Sequence, residues 1–105
     1  MGISQAGGGA ITKGNDTVYN LLTTKQVSCT DAATAIVTAD GKRAKLNLFN
    51  ISTDTVIYVG NSTSVTTTNG YGLEPQKHIP WPYAGPLYGI VTTGSEKVSV
   101  CEIQT

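Results

Sequence analysis

The stretch "TVIYVGNSTSVTTTNGYGLEP", residues 55–75, joins an apolar run to a hydroxyl-rich strip and an Asn-Gly pair, with almost no charge. Val, Ile, Tyr and Thr suit a pleated, half-buried surface, and Asn-Gly is a hairpin turn signal. The stretch therefore reads as strands near 55–60 and 64–67 followed by a turn at Asn69-Gly70. It is well made for structure and poor in reactive groups.

Working outward, the same composition runs from Gln26 to the end of the chain. It is broken at short intervals by Asp-Gly, Thr-Asp, Asn-Gly, Ala-Gly-Pro and Thr-Gly-Ser. That rhythm predicts further strands near 26–30, 33–38, 43–52, 87–93 and 96–103, with a short extended piece around 76–80. Asp40-Gly41 and Asn69-Gly70 suit turns with positive φ. Pro75, Pro80, Pro82 and Pro86 each remove a ladder donor, so the segment between them is expected to be a rim loop and not a central strand. The fold class is all-β, a small antiparallel β-sandwich with a jelly-roll-like arrangement.

Residues 1–25 differ, with a triple glycine at 7–9 and only scattered apolar positions. Such a segment buries too little to repay its own ordering. It is expected to form an extended N-terminal arm, either a disordered tail or a strap ordered against a neighbouring subunit, with the sandwich domain spanning 26–105.

The strand faces say more. In "KRAKLNLFNIS", Ala44, Leu46 and Leu48 share one face while Phe49 and Ile51 take the other, as though the inward phase changed midway at a β-bulge. Arg43 and Lys45 then read as a solvated face. In "TVIYVG", Ile57 and Val59 alternate with Val56 and Tyr58; in "PLYGIV", Leu87 and Val91 alternate with Tyr88 and Ile90. Both faces are apolar. A sandwich strand usually turns one polar face to water, so the second apolar face implies a cover, unless Tyr and Val serve strand propensity alone.

The chain has 105 residues, enough for one domain, and its hydrophobic fraction of 39% implies a modest core. Seven basic and seven acidic residues cancel, which argues against nucleic acid or an anionic membrane as partner. No stretch approaches the roughly 20 apolar residues of a membrane span, and residues 1–16 lack a secretory pattern, so a cytosolic origin is expected. In that reducing setting Cys29 and Cys101 read as small buried side chains in strands and not as a disulfide.

Catalysis needs a tunable base or nucleophile. The single histidine, His78, stands among loop prolines, and neither cysteine is expected to meet it. No metal-ligand spacing occurs, "GGGAITKG" lacks the ending of a phosphate loop, and the aspartates at 16, 31, 40 and 54 are isolated near turns. The expectation is no catalytic residue, no metal, no cofactor and no enzyme activity. Asn15, Asn50 and Asn61 begin Asn-x-Ser/Thr triplets that arise easily in so hydroxyl-rich a chain and do not argue for glycans.

One feature resembles a site, the loop "GYGLEPQKHIPWPYAG", with Tyr71, Trp81 and Tyr83 near Asn69 and Gln76. Large aromatic faces beside amides anchor a protein partner or stack on a sugar ring, and Trp81 could equally fold back to plug the end of the core. Tyr58, Tyr71, Trp81, Tyr83 and Tyr88 are the candidate partner contacts.

The runs "NISTDTVIYVGNSTSVTTTNGYGLEP" and "GPLYGIVTTGSEKVSVCEI" resemble small β proteins among the structural genes of tailed bacteriophages, in which a "VYVG" strand, a "VTTTNG" turn, a "LEP" corner and an "LYGI…G…V.V.E" ending recur. The likeness covers about residues 43–103. It departs from the pattern at "HIPWPYAGP", where a simpler glycine corner is usual. The resemblance implies a virion component that binds the major capsid protein and copies of itself, as a head decoration or cement protein on the outer shell, with a homotrimer as the expected assembly. Its alternatives are a tail, connector or fibre-anchoring part, with a carbohydrate-binding module as a third. It brings no catalytic residues.

Overall fold

Alternating apolar residues, punctuated by turns, have to pair their backbones and bury one face each, and two packed sheets satisfy both demands. The computed structural model describes residues 21–104. Eight strands follow in order: β1 Leu21–Thr30, β2 Thr34–Val37, β3 Arg43–Asn50, β4 Ile57–Gly60, β5 Tyr71–Leu73, β6 His78–Trp81, β7 Leu87–Ile90 and β8 Ser95–Gln104. They form two four-stranded antiparallel sheets, β1-β8-β3-β6 and β2-β7-β4-β5.

The topology follows from one folded ribbon. β1 pairs with β8, β2 with β7, β3 with β6 and β4 with β5, so the chain is a long hairpin whose tip lies between β4 and β5. Rolling that ribbon brings β3 against β8 and β4 against β7. The result is an eight-stranded jelly roll. Edge strands β1 and β2 close one side, and edge strands β5 and β6 face each other on the other.

The inward residues form one core of Cys29, Ile36, Val37, Leu46, Leu48, Ile57, Val59, Leu73, Leu87, Val91, Val98 and Val100. Each large apolar side chain removed fully from water contributes roughly 1.5–3 kcal/mol. The expected alternation holds in β4 and β7, where Ile57, Val59, Leu87 and Gly89 point in and Tyr58, Tyr88 and Ile90 are half-buried on the outer face. Pro80 sits in β6, an edge strand, where a missing donor costs the ladder least.

Several expectations need correction. β1 begins at Leu21, so residues 21–25 of the expected arm belong to the sheet, paired with Val100–Gln104; residues 1–20 lie outside those described. No strand forms over 64–67. There the polar side chains bind nearby backbone, with Thr66 N donating to Asn69 Oδ1 at 2.7 Å and Asn69 N to Thr66 Oγ1 at 3.2 Å, which competes with a ladder. The strand partner of β4 is instead the three-residue β5.

Positive φ occurs at Gly94 and Gln76 and at neither Gly41 nor Gly70. Gly70 is required for a different reason, since a Cβ there would stand 2.8 Å from Tyr58 Cβ and 2.9 Å from the Thr66 carbonyl oxygen. Gln76 holds its left-handed conformation at the corner before β6, its N–H donating to Asn50 O at 3.0 Å and its Nε2 to Ile51 O at 2.6 Å.

The bulge in β3 lies at its start, between Arg43 and Lys45, and not midway. From there Leu46, Leu48 and Asn50 are buried in unbroken alternation, while Phe49 faces outward. Arg43 is not on a solvated face. Its guanidinium is buried, donating through Nη1 to Glu102 Oε2 at 2.7 Å and Thr38 O at 3.0 Å, through Nε to Tyr83 O at 3.0 Å, and through Nη2 to Gly85 O at 2.5 Å.

Candidate functional site

Tyr71 opposes Val59 across the β4–β5 ladder, and Trp81 opposes Leu46 across β3–β6. Val59 and Leu46 point into the core, so Tyr71 and Trp81 share the inward phase of the two edge strands. They meet across the open side of the sandwich, ring centroids 5.9 Å apart and planes tilted by 54°. Tilted aromatic pairs at this distance are favourable beyond the area they bury.

Behind these rings lies a cleft of about 220 Å³ lined by Val59, Gly60, Asn61, Tyr71, Trp81, Tyr83 and Leu87. Its floor is the exposed margin of the core and its lining carries no ionisable acid, lysine, arginine or histidine. Trp81 and Tyr83 also pack on the core, which fits the plug role expected for Trp81. Gly85 makes room for Tyr83: a Cβ there would collide with the Tyr83 hydroxyl. Arg43, by binding the carbonyls of Tyr83 and Gly85, fixes the loop that carries both.

The structure thus brings together Tyr71, Trp81 and Tyr83 and places Tyr58 and Tyr88 elsewhere, on the outer face of β2-β7-β4-β5. There Tyr58 is opposite Ile90, and Tyr88 lies between Ala35 and Gly60. The amides expected near the aromatic loop are already engaged. Asn69 Nδ2 donates to Ser64 O at 3.2 Å and its Oδ1 accepts from Thr66, while Gln76 Nε2 is bound to Ile51 and Ser52 carbonyls. Asn61 takes their place in the lining. It stands two residues beyond Val59, just past the end of β4.

Cys29 is fully buried, and burial pushes its thiol up to about 11. Cys101 is only half-buried, on the outer face of the same sheet, β1-β8-β3-β6. Cys101 pairs with Thr24, five residues along β1 from Cys29, which separates the two cysteines by about 17 Å. Both are free thiols. Cys101 and His78 do line one shallow depression on that outer face. The intervening β3 and a two-residue offset keep their backbones about 12 Å apart. No group of three His, Cys, Asp or Glu side chains among the described residues is placed to hold a metal ion. Of the glycosylation-like triplets, Asn50 is fully buried, Asn61 is exposed and Asn15 lies outside the described residues.

Comparison of the chain with protein-family models, with characterised proteins and with solved structures finds no match.

Proposed function

We propose that this protein is a structural component of a tailed-bacteriophage virion, a decoration or cement protein that sits on the outer head shell as a homotrimer and stabilises it by surface contact. The observation that carries this reading is the outer face of β2-β7-β4-β5, where Val56, Tyr58, Tyr88 and Ile90 form an apolar surface backed by an already complete core. A sheet with apolar residues on both sides has more surface to bury than its own sandwich can cover. The phage-like motifs over residues 43–103 suggest a capsid lattice and neighbouring copies as the cover. The fold itself hosts many roles, so the argument lies in the surface and not in the topology.

Weak contacts repeated over a lattice add through multivalency, so a modest patch on each copy is sufficient for cementing. Particles carrying the protein should melt at a higher temperature than particles lacking it; equal melting would exclude cementing. Gold labelling of the same particles should decorate the head, and label confined to the tail would favour a connector or fibre-anchoring role.

A further inference from the structure

We propose that the cleft between edge strands β5 and β6 binds a neutral hexopyranose ring, with Tyr71 and Trp81 supplying the stacking faces and Asn61 the polar contact. A sugar ring is amphipathic: its C–H faces seek aromatic carbon and its hydroxyls seek neutral donors and acceptors. The cleft has the same division. Its aromatic and aliphatic part is formed by Tyr71, Trp81, Val59 and Leu87. Beyond Gly60 and Asn61, which both spaces share, a second depression of about 330 Å³ is lined by Ser62, Ser64, Val65 and Asn69.

The polar tips in the aromatic part are unspent. The Trp81 indole N–H, the hydroxyls of Tyr71 and Tyr83 and the Asn61 amide have no hydrogen-bond partner among the described residues. Trp and Tyr packed on a core ordinarily find one. The 54° tilt between Tyr71 and Trp81 means their faces are not stacked on each other, and Tyr71 is 59% exposed. With no charged side chain in either lining, phosphate, sulfate and carboxylate ligands have no counter-charge to meet. The aromatic space, about 220 Å³, lies below the roughly 300–1,000 Å³ of sites for drug-sized molecules and suits a single ring, and the adjoining polar space of about 330 Å³ offers room for a second. A disaccharide therefore fits the pair better than a monosaccharide. Nothing in this assignment requires the protein to be part of a virion.

The chain contains one tryptophan, so its fluorescence reports on this cleft. The full chain is titrated with methyl β-glucopyranoside, methyl β-galactopyranoside, methyl α-mannopyranoside, N-acetylglucosamine, lactose and cellobiose up to tens of millimolar. A saturable emission change with at least one of them is expected, in the millimolar range for single rings and about tenfold tighter for the best disaccharide. Tyr71→Ala, at an exposed position, should keep cooperative melting and weaken binding by roughly tenfold. Asn61→Ala should weaken it with the emission of the free protein unchanged. Absence of a saturable change with every sugar in a cooperatively melting wild type would overturn the proposal. So would binding that Tyr71→Ala leaves intact, or an emission change that depends only on protein concentration, which would assign the cleft to contact between copies.

Discussion

The Arg43 guanidinium and the Glu102 carboxylate stand 2.7 Å apart, the arginine side chain fully buried and the glutamate 14% exposed. The pair joins the first residue of β3 to β8, and the remaining donors of Arg43 hold the carbonyls of Thr38, Tyr83 and Gly85. Removing Glu102 leaves a buried cation with neutral acceptors only, and breaking such pairs costs about 3–5 kcal/mol. Glu102→Ala is expected near the lower end of that range in urea unfolding, because water can reach the vacated site. Arg43→Lys should not substitute, since an ammonium cannot span four acceptors held in a planar fork.

Asn50 is the other buried polar anchor. Its Nδ2 donates to Thr55 O at 2.8 Å and to Leu73 O at 2.9 Å, and its Oδ1 accepts from Ser52 N at 2.9 Å. Both amide hydrogens and one lone pair of the oxygen are used. Asn50→Ala strands two carbonyls and one amide, and at about 1–3 kcal/mol for each buried unsatisfied group a loss of about 3 kcal/mol or more is expected. Asn50→Asp should be worse at neutral pH, where a carboxylate would face two carbonyl oxygens, and should recover part of its stability as the pH falls to 4 and the carboxyl takes up a proton. Denaturant midpoints measured at pH 4 and pH 7 test both statements.

Gly89 and Cys29 are packed without spare room. A Cβ on Gly89 would stand 2.7 Å from Cys29 Sγ and 2.8 Å from Ile36 Cδ1. Gly89→Ala is expected to destabilise by about 1–3 kcal/mol through overpacking. Cys29→Ala removes the nearer obstacle, so the double variant should be more stable than the sum of the single changes allows. A thermodynamic cycle that comes out additive would contradict the contact.

The same cysteine gives a pH signature. The unfolded chain loses its thiol proton near the ordinary value of 9.0, while the folded chain holds it to about 11. Below 9 the contribution of Cys29 is constant. Between those values unfolding releases a proton, so stability falls as pH rises, by at most about 1.4 kcal/mol per pH unit from this group. Wild type should lose more stability than Cys29→Ala from pH 8 to pH 11. At pH 8 a thiol reagent should modify Cys101 well before Cys29, whose labelling should require unfolding.

Much of this architecture is legible in the sequence, because period-two alternation and turn residues act locally. β3, β4, β7 and β8 follow from that pattern, and the prolines keep 78–81 out of a central strand, although it forms the edge strand β6 where a rim loop is expected. The failures are non-local or involve competing local bonds. Residues 64–67 have the composition of a strand, yet Thr66 and Asn69 satisfy the backbone themselves and release it from the ladder. β5 is three residues long and contains glycine, too short for a periodic signal. Arg43 is buried only because residues 38, 83, 85 and 102 converge on it, a convergence that no window of sequence contains. For the same reason the aromatic residues were visible individually, while their division between the cleft and the outer face was not.

That division allows the proposed docking face to be tested apart from the cleft. Tyr58 and Tyr88 lie on the outer face of β2-β7-β4-β5, with their backbones supported by Ile57, Val59 and Leu87 beneath. A double Tyr58→Glu, Tyr88→Glu variant replaces apolar contact area with charge at the centre of that face while leaving every core side chain in place. If the face seats against a capsid lattice, each copy loses contact, and multivalency turns a small loss per site into a fall in particle occupancy of about tenfold or more. Thr24→Glu, exposed on the outer face of the opposite sheet, is the matched control and should keep occupancy near the wild-type level. Both proteins should melt cooperatively, and the mass of each in solution will report whether the proposed trimer forms. Equal occupancy of all three on purified heads would show that the outer tyrosines do not face the shell.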